Sequence, residues 1–257
     1  MGRAKEIIVK VIPSKIANEF VKKHHYSGKV VPNSALHFGC FLDGKLHGVI
    51  QYGPPMDKSR VIAMVQPCLW NQMLEINRMA FDEYLPKYSE SRCIAISIKM
   101  IKKNAPHIKW LLSFSDGTQC GDGTIYRASG FVLTSVKENS TLRINPNTGK
   151  QMARMTAYHD GFAYDWKNWK PLAGFQLRYI YLIDKTCKIT VPILPFSKID
   201  EMGAGMYKGK KVSLKERKNA AIAQGSALGF QSGDGVRSDL AAQIKQRKNS
   251  ECRNLKT

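Results

Sequence analysis

The sequence predicts a mixed α/β domain, with helices flanking a central sheet that contains both parallel and antiparallel strands. Three observations support this fold class. The turn signal Asp43-Gly44 separates two apolar runs, which is typical of a hairpin. Residues 91–104 carry apolar side chains at helical spacing, and the nearly continuous apolar run at 110–115 is typical of a strand buried on both faces.

The amino-terminal elements follow from short local patterns. Residues 6–11 are rich in β-branched side chains and precede a proline, which predicts a first strand. A helix is expected over 14–24, capped by Ser14, because its apolar residues recur at the spacing of one helical face. The hairpin then pairs residues 36–42 with residues 45–52.

The remaining elements alternate between strands and helices. Residues 74–81 predict a strand before the long helix, and residues 124–129 predict a short helix that stops at Gly130. Strands are then expected over 131–136 and 178–183. Segment 137–177 lacks a clear period, and its aromatic residues Trp166, Trp169 and Phe175 are expected to cover one face of the sheet.

The charge balance predicts a polyanionic partner. The 257 residues carry 40 Lys and Arg against 20 Asp and Glu, a net charge of +20. Residues 203–257 hold 12 basic and 4 acidic residues, so the remainder keeps 28 basic against 16 acidic, a net +12. Charge spread through a folded body favours a nucleic acid over a membrane surface. The alternative is a generally basic protein with no specific partner.

Composition also predicts the organisation of the chain. We expect one folded domain over 1–185 and a basic, disordered tail over 186–257, because large apolar residues become rare towards the carboxyl end. The six cysteines show no C-x-x-C pair and no zinc spacing, as in reduced thiols. Without an apolar leader or an apolar window of membrane-spanning length, no membrane is involved, and the protein is expected in the cytoplasm.

Six motifs carry a resemblance to a known family. In chain order they are His24-His25-Tyr26-Ser27, the strand Gly48-Val49 to Gly53-Pro54, Glu75-Ile76-Asn77-Arg78, Ser89-Glu90-Ser91, the segment Lys109 to Asp116, and Gly121-x-Gly123-Thr124-Ile125-Tyr126-x-Ala128. They resemble the Mom family, bacteriophage proteins with a GNAT-like (acetyltransferase-like) fold that modify adenine in phage DNA. The resemblance covers residues 5–135 and, more loosely, 178–183.

The resemblance implies a transferase with a GNAT-like catalytic domain over 1–185. Such an enzyme places a carbamoylmethyl (acetamido) group on the exocyclic amine of adenine in double-stranded DNA, in the cytoplasm of the bacterial host. Bulk on that amine blocks restriction enzymes, because the amine is the adenine donor displayed in the major groove. The expected partner is therefore double-stranded DNA.

The resemblance also implies a catalytic trio of His25, Tyr26 and Asp116. Asp116 ends the apolar strand and opens a Gly-rich turn, where it could equally cap the turn. His25 and Tyr26 follow the first helix, where the alternative is a helix cap with a packed aromatic ring. Imidazole, phenolate and carboxylate are also candidate ligands for iron.

Five further residues are expected to contact substrate: Arg78, Ser89, Ser91, Thr124 and Tyr126. Arg78 lies within a strand, and its alternative is a salt bridge to Glu75 or Asp82. The two serines are alternatively helix caps. Tyr126 stacks on an extruded adenine or packs under the sheet.

The group donor is not identified by the sequence. Acetyl-CoA is doubtful, because the loop 86–92 has no glycine to grip a pyrophosphate and Glu90 adds negative charge there. Two rival functions remain open. One is an acyl-CoA-dependent N-acetyltransferase, and the other is a non-catalytic DNA-binding phage protein on the same fold.

Overall fold

A seven-stranded sheet forms the centre of the computed structural model, which describes residues 2–207, 209–213, 216 and 219. Its strands stand in the order β1-β2-β3-β5-β6-β11-β7, with bounds β1 Ile8–Val11, β2 Leu36–Leu42, β3 Lys45–Gly53, β5 Met73–Phe81, β6 Trp110–Gly117, β7 Val132–Glu138 and β11 Phe175–Leu182. Only β5 and β6 pair in parallel; the other neighbours in this sheet are antiparallel. The predicted mixed central sheet with flanking helices is therefore confirmed.

The other elements surround this sheet. The helices are α1 Ser14–His24, α2 Lys58–Val61, α3 Ser89–Asn104, α4 Thr124–Ala128, α5 Arg154–His159 and α6 Ser197–Glu201, with 3-10 turns at Arg3–Glu6, Ile62–Met64 and Asp165–Asn168. The minor strands are β4 Val65–Gln66, β8 Leu142–Ile144, β9 Gln151–Ala153, β10 Lys170–Pro171, β12 Lys188–Ile189, β13 Met206–Tyr207 and β14 Lys210–Lys211. In the described part of the chain, no helix is both long and apolar enough to span a bilayer.

The local turn chemistry behaves as the sequence predicts. Asp43 and Gly44 both take positive φ, 51° and 75°, which the two central positions of a type I′ hairpin turn require. Gly130 takes φ 83° just beyond α4, as expected for a helix stop. Ser14 differs from expectation: it is the first helical residue, and Pro13 occupies the cap position without a side-chain bond.

Helices cover both faces of the sheet. On one face, α3 buries Ile94 and Ile98 against strand residues such as Tyr52 and Leu111. On the other face, α1 packs against β3 and β5, while Leu112 joins a separate apolar cluster. Because Leu111 and Leu112 are neighbours in β6, they point to opposite faces. The carboxyl end of α1 is therefore held over the face away from α3.

The sheet splays between β5 and β6. Their parallel register contains three pairs, Met73 with Trp110, Leu74 with Leu111 and Glu75 with Leu112. Beyond Glu75 the two strands no longer pair with each other, although β5 stays bonded to β3 and β6 stays bonded to β11. The result is a wedge-shaped gap between the carboxyl ends of two parallel strands. In α/β folds, ligands bind at such a place.

An insertion over residues 139–174 joins β7 to β11. It has its own sheet, in the order β10-β8-β9, and its own apolar cluster of Met152, Ala157, Trp166 and Trp169. The expectation that both tryptophans cover the main sheet is therefore wrong, because Trp166 and Trp169 belong to the apolar cluster inside the insertion. Phe175, by contrast, does pack on the main core.

Ordered structure continues past residue 185. The strand β12 pairs with β4, and Ile199 of α6 and Ala204 are buried in the main core. The chain divides into one compact unit over Met1–Ser213 and a second over Leu214–Thr257. The first unit thus ends later than the predicted boundary, because isolated apolar residues after 185 find places in the core. Almost all of the second unit lies outside the described residues, and a tail there stays a prediction.

The glycine at 123 provides a test of this packing. Gly123 has φ 80°, and an added Cβ would lie 2.4 Å from the buried Tyr179 ring. We expect Gly123→Ala to lower the free energy of unfolding by about 3 kcal/mol or more, since left-handed strain and overpacking add. Gly149→Ala is the matched control, because its φ is 67° and nothing lies within 4 Å; it should cost about 1 kcal/mol. Urea unfolding measures both, and equal losses would contradict the packing described.

Candidate active site

Tyr26 and Asp116 meet across the gap between β5 and β6. The Tyr26 hydroxyl donates a hydrogen bond of 3.0 Å to Asp116 Oδ2, although the residues are 90 positions apart. The other carboxylate oxygen, Oδ1, accepts from the Thr118 backbone N–H at 2.9 Å and from the Thr118 hydroxyl. One oxygen of Asp116 therefore caps the turn, the alternative that the sequence left open, and the other faces Tyr26, while the catalytic role of Asp116 stays a prediction.

His25 joins this pair through ring packing. It ends α1, with its backbone N–H bonded to Val21 O at 2.9 Å, and its ring centroid lies 4.3 Å from that of Tyr26. Its Nδ1 lies 2.8 Å from Ser27 Oγ and 3.1 Å from Ser27 N. The Ser27 N–H can only donate, so Nδ1 accepts its bond and the proton of the neutral ring lies on Nε2, while the Ser27 hydroxyl contact is compatible with either role of Nδ1. The bond to the end of α1 and the contacts with Ser27 together hold the His25 ring beside the Tyr26 phenol.

The side chains of His25 and Tyr26 are both neutral at neutral pH. Burial and, to a smaller extent, the nearby Arg78 guanidinium lower the pKa of His25 to about 4, although the Asp116 charge opposes them. Half of the Tyr26 surface is exposed, yet burial of its hydroxyl, followed by the Asp116 charge, raises the pKa of this phenol. A neutral imidazole and a neutral phenol therefore accompany the carboxylate.

Arg78 fastens the loop that follows Tyr26 to β5. Its Nε donates to Lys29 O at 2.9 Å, and a terminal nitrogen donates to Asn77 O at 2.8 Å. The salt bridge to Glu75 or Asp82 is not what the structure shows, and Asp82 pairs with His47 at 2.8 Å instead. Burial lowers the pKa of Arg78, while Tyr26 and Glu75 raise it. Arg78 thus holds the trio in place, and its contact with substrate stays a prediction.

The two serines bond to the turn before α3. Ser89 Oγ donates to Pro86 O, and Ser91 Oγ donates to Tyr88 O at 3.2 Å. Neither hydroxyl caps the helix, because the cap position is held by Tyr88, with φ 71°. Among the described residues, neither hydroxyl bonds to His25, Tyr26 or Asp116, so their role with substrate is not tested.

Thr124 and Tyr126 lie in structural networks. Thr124 Oγ1 donates to Asp122 Oδ1 at 2.9 Å and accepts from Arg127 at 2.8 Å. Tyr126 is 6% exposed and packs against Tyr179. Burial raises the pKa of Tyr126 to about 12. The structure therefore adopts the packing alternative for Tyr126, since a ring covered in this way cannot stack on a base.

Two residues near the trio escaped sequence reasoning. Burial, opposed by Arg78, raises the pKa of Glu75, at the last paired position of β5, to about 7. Cys120 donates from Sγ to Asp116 O at 3.3 Å, and burial followed by the Asp116 charge raises the pKa of its thiol to about 11. Two features of the sequence could have pointed to these residues. Glu75 belongs to the same motif as Arg78, and Cys120 follows Asp116 by four residues.

Two oxygen atoms of the trio lie at the spacing of adjacent metal ligands. In the described part of the chain, no three His, Cys, Asp or Glu side chains gather as a metal site, so an ion here would need Tyr26 as a ligand. Tyr26 Oη and Asp116 Oδ2 are 3.0 Å apart, as two adjacent oxygen ligands at about 2.1 Å from one ion would be. The lowered pKa of His25 favours the neutral imidazole that ligation requires.

Comparison with known proteins gives a family and one close relative. The model of the Mom protein family matches residues 6–198. The chain is 35% identical to the methylcarbamoylase mom of Escherichia phage Mu over 138 residues. The matched segment covers 53% of this chain and 57% of that protein. The match thus spans little more than half the length of this relative.

Solved acetyltransferases are more distant. An IAA acetyltransferase from Bacillus cereus is 12% identical, with a TM-score of 0.42 over 69% of this chain and 99% of that one. A spermidine/spermine N-acetyltransferase from Vibrio cholerae is 8% identical, with a TM-score of 0.42 over 70% of this chain and 95% of that one. Similarity at this level says nothing about the chemistry of the site.

The buried carboxyl group predicts a pH-dependent stability. Because the pKa of Glu75 is raised from 4.5 to about 7 on folding, the folded state holds a proton that the unfolded chain has released. The free energy of unfolding should therefore fall as the pH rises from about 4.5 to 7, by about 3 kcal/mol in total. Glu75→Gln should remove this fall and stabilise the protein at pH 8.

Glu138→Gln is the matched control for that experiment, since Glu138 is an exposed glutamate on β7 of the same sheet. Urea unfolding of both variants and the wild type at a series of pH values measures the difference. If the Glu75→Gln and wild-type curves run parallel from pH 4 to pH 8, the buried-carboxyl account is wrong.

Proposed function

This chain belongs to the Mom protein family, and we propose that it transfers a carbamoylmethyl (acetamido) group to the exocyclic amine of adenine in double-stranded DNA. In the bacterial host of a phage, this change would protect the DNA from restriction, because the amine is read in the major groove. Family membership, a relative named as a methylcarbamoylase and a net charge of +20 support the proposal.

The observation that carries the proposal is the hydrogen bond from Tyr26 to Asp116 in the gap between β5 and β6. The adenine amine is a weak nucleophile, because its lone pair is delocalised into the ring, so transfer needs a base for its proton. Since Thr118 holds Oδ1 of Asp116, Oδ2 is the oxygen that faces substrate. Asp116 is then the base, directly or through the Tyr26 hydroxyl.

The transfer balances as a substitution at carbon. The adenine nitrogen forms a bond to the methylene carbon of an activated donor, the bond from that carbon to its leaving group breaks, and the amine proton passes to Asp116. His25 packs on the Tyr26 ring and orients the phenol. Arg78 fixes the loop that carries both residues. The donor is outside what the residues identify.

Phe114 supplies the surface against which an extruded adenine would stack. It is 45% exposed and lies two residues before Asp116 on β6, so both side chains leave the same face of the strand. An enzyme that acts on this amine within a duplex has to extrude the base and hold it by stacking. Phe114 fits this role better than the buried Tyr126.

Iron bound by His25, Tyr26 and Asp116 is a further part of the proposal. Bound there, the ion would supply Lewis-acid or redox chemistry in a state distinct from the one in which Asp116 is the base, because Oδ2 cannot ligate the ion and accept the amine proton at once. His25 would ligate as a neutral imidazole, and the contact of its Nδ1 with Ser27 Oγ would help to orient the ring. Tyr26 would ligate after losing the proton that it now shares with Asp116.

We expect Asp116→Asn and Tyr26→Phe each to reduce the modified nucleoside at least 100-fold, about the size of a general-base contribution, while the protein stays folded. The matched controls are Asp43→Asn and Tyr84→Phe, because the Tyr84 hydroxyl donates to Asp43 Oδ2 at 2.6 Å in an exposed pair at the hairpin. Mass spectrometry of nucleosides from DNA of cells that express each variant gives the yield.

A new adenosine species with the added mass of an acetamido group, in DNA from cells that express the wild-type protein, supports the proposal. Unmodified DNA together with tight duplex binding would instead favour the non-catalytic DNA-binding protein. An acetylated product, or saturable binding of acetyl-CoA, would favour the acyl-CoA-dependent enzyme.

Metal analysis gives a readout that is independent of activity. We expect the purified protein to contain about one iron per chain, and a visible absorption band from phenolate bound to ferric iron. Tyr26→Phe should lose the band, while Tyr84→Phe should keep it. Equal iron content and equal spectra in the wild type and both variants would exclude Tyr26 as a ligand.

A further inference from the structure

The insertion over residues 139–174 exposes large apolar side chains that no part of the described structure covers. Met155 and Tyr158 are each 64% exposed, and Tyr164 is 92% exposed. Single exposed apolar residues are ordinary, but a group of them on one short segment is typical of a surface that meets a partner.

The helix α5 has one buried face and one exposed apolar face. Ala157 is fully buried in the insertion's apolar cluster, and Thr156 Oγ1 accepts a bond of 3.3 Å from Lys29 Nζ. Met155 and Tyr158 are three residues apart and therefore share a helical face, on the side away from Ala157. One side of α5 thus borders the loop that follows Tyr26, while its apolar face meets solvent.

A second contact ties the insertion to the other side of the candidate site. Gln119, in the turn after Asp116, donates to Gln151 Oε1 of β9, which directly precedes α5. The insertion is therefore bonded both to the loop after Tyr26 and to the turn after Asp116. These two contacts place the insertion next to the candidate site rather than at a remote part of the sheet.

The charge of the insertion identifies the kind of partner. Its Lys and Arg residues outnumber its acids, 5 to 2: Arg143, Lys150, Arg154, Lys167 and Lys170 against Asp160 and Asp165. Arg154 and His159 flank the exposed face of α5 and are themselves exposed. Aromatic and thioether side chains among cations suit nucleic acid, whose bases offer apolar faces and whose phosphates offer negative charge.

We propose that Met155 and Tyr158 form a wedge that enters duplex DNA beside the adenine to be modified, with Tyr164 against the neighbouring backbone. The wedge occupies the space that the extruded base leaves and so favours the open state. This inference rests on the proposed function, and it assigns the opening of the duplex to the insertion while the chemistry stays with the trio.

The test compares the double variant Met155→Ala/Tyr158→Ala with a matched control, Met56→Ala/Trp70→Ala. The control also removes one exposed methionine and one exposed aromatic ring, and Trp70 likewise lies against a lysine, Lys58. Its residues lie near the amino-terminal end of β5, away from Asp116 at the carboxyl end of β6. Thermal unfolding of the full-length proteins checks that both variants fold.

The probe is a duplex of about two helical turns that carries 2-aminopurine at a position modified by the wild type. Wild-type protein and control should raise its fluorescence as the base unstacks. The wedge variant should lose this rise, bind the paired duplex about tenfold more weakly and yield less modified adenine. Affinity for a duplex with an abasic site opposite the target should change little, because opening that site costs less.

The outcomes separate the two proposals. If DNA from cells that express the wild type carries no modified adenine, the proposed function fails. If the wild type modifies DNA and the wedge variant matches it in fluorescence, affinity and yield, the wedge alone is overturned. A changed sedimentation coefficient of the variant, with unchanged DNA binding, would overturn it in favour of a protein-binding face.

Discussion

The candidate site depends on the early end of pairing between β5 and β6. In a regularly paired sheet these strands would stay about 4.8 Å apart, and their side chains would leave no room for a substrate. Here the pairing stops at Glu75 and Leu112, while β3 and β11 keep the backbone groups on the outer edges bonded. The gap between the strands therefore opens without unfolding either of them, and it puts Arg78 and Asp116 on its two sides.

The loop after α1 closes the gap on one side, and Arg78 fixes the position of this loop. A partly buried guanidinium is costly unless its donors are used, and here they bond to the carbonyls of Lys29 and Asn77. Its charge also helps to keep His25 neutral, while Asp116 and the phenol of Tyr26 share one proton. The same cation thus orders the loop and adds to the effect of burial, which is the larger cause of the neutral ring.

Much of the fold could be predicted because its signals are local. The Asp43-Gly44 turn and the periods of α1 and α3 need only neighbouring residues. The approach of Tyr26 to Asp116 came from a family resemblance, since no period links residues 90 positions apart. Tyr126 and Phe114 differ in burial because of the faces they occupy, which depend on the tertiary packing. The insertion's core escaped because its strands are too short to show a period.

Lys29 connects the insertion to the trio. Its side chain donates to Thr156 of α5, and its carbonyl accepts from Arg78, so one residue is bonded to both the insertion and β5. A displacement of α5 by DNA would pull on Lys29, whose backbone is three residues from Tyr26. Since the Tyr26 hydroxyl needs a hydrogen-bond distance to reach Asp116, contact at the insertion and geometry at the base are mechanically linked. Duplex opening and proton removal would then depend on the same short loop.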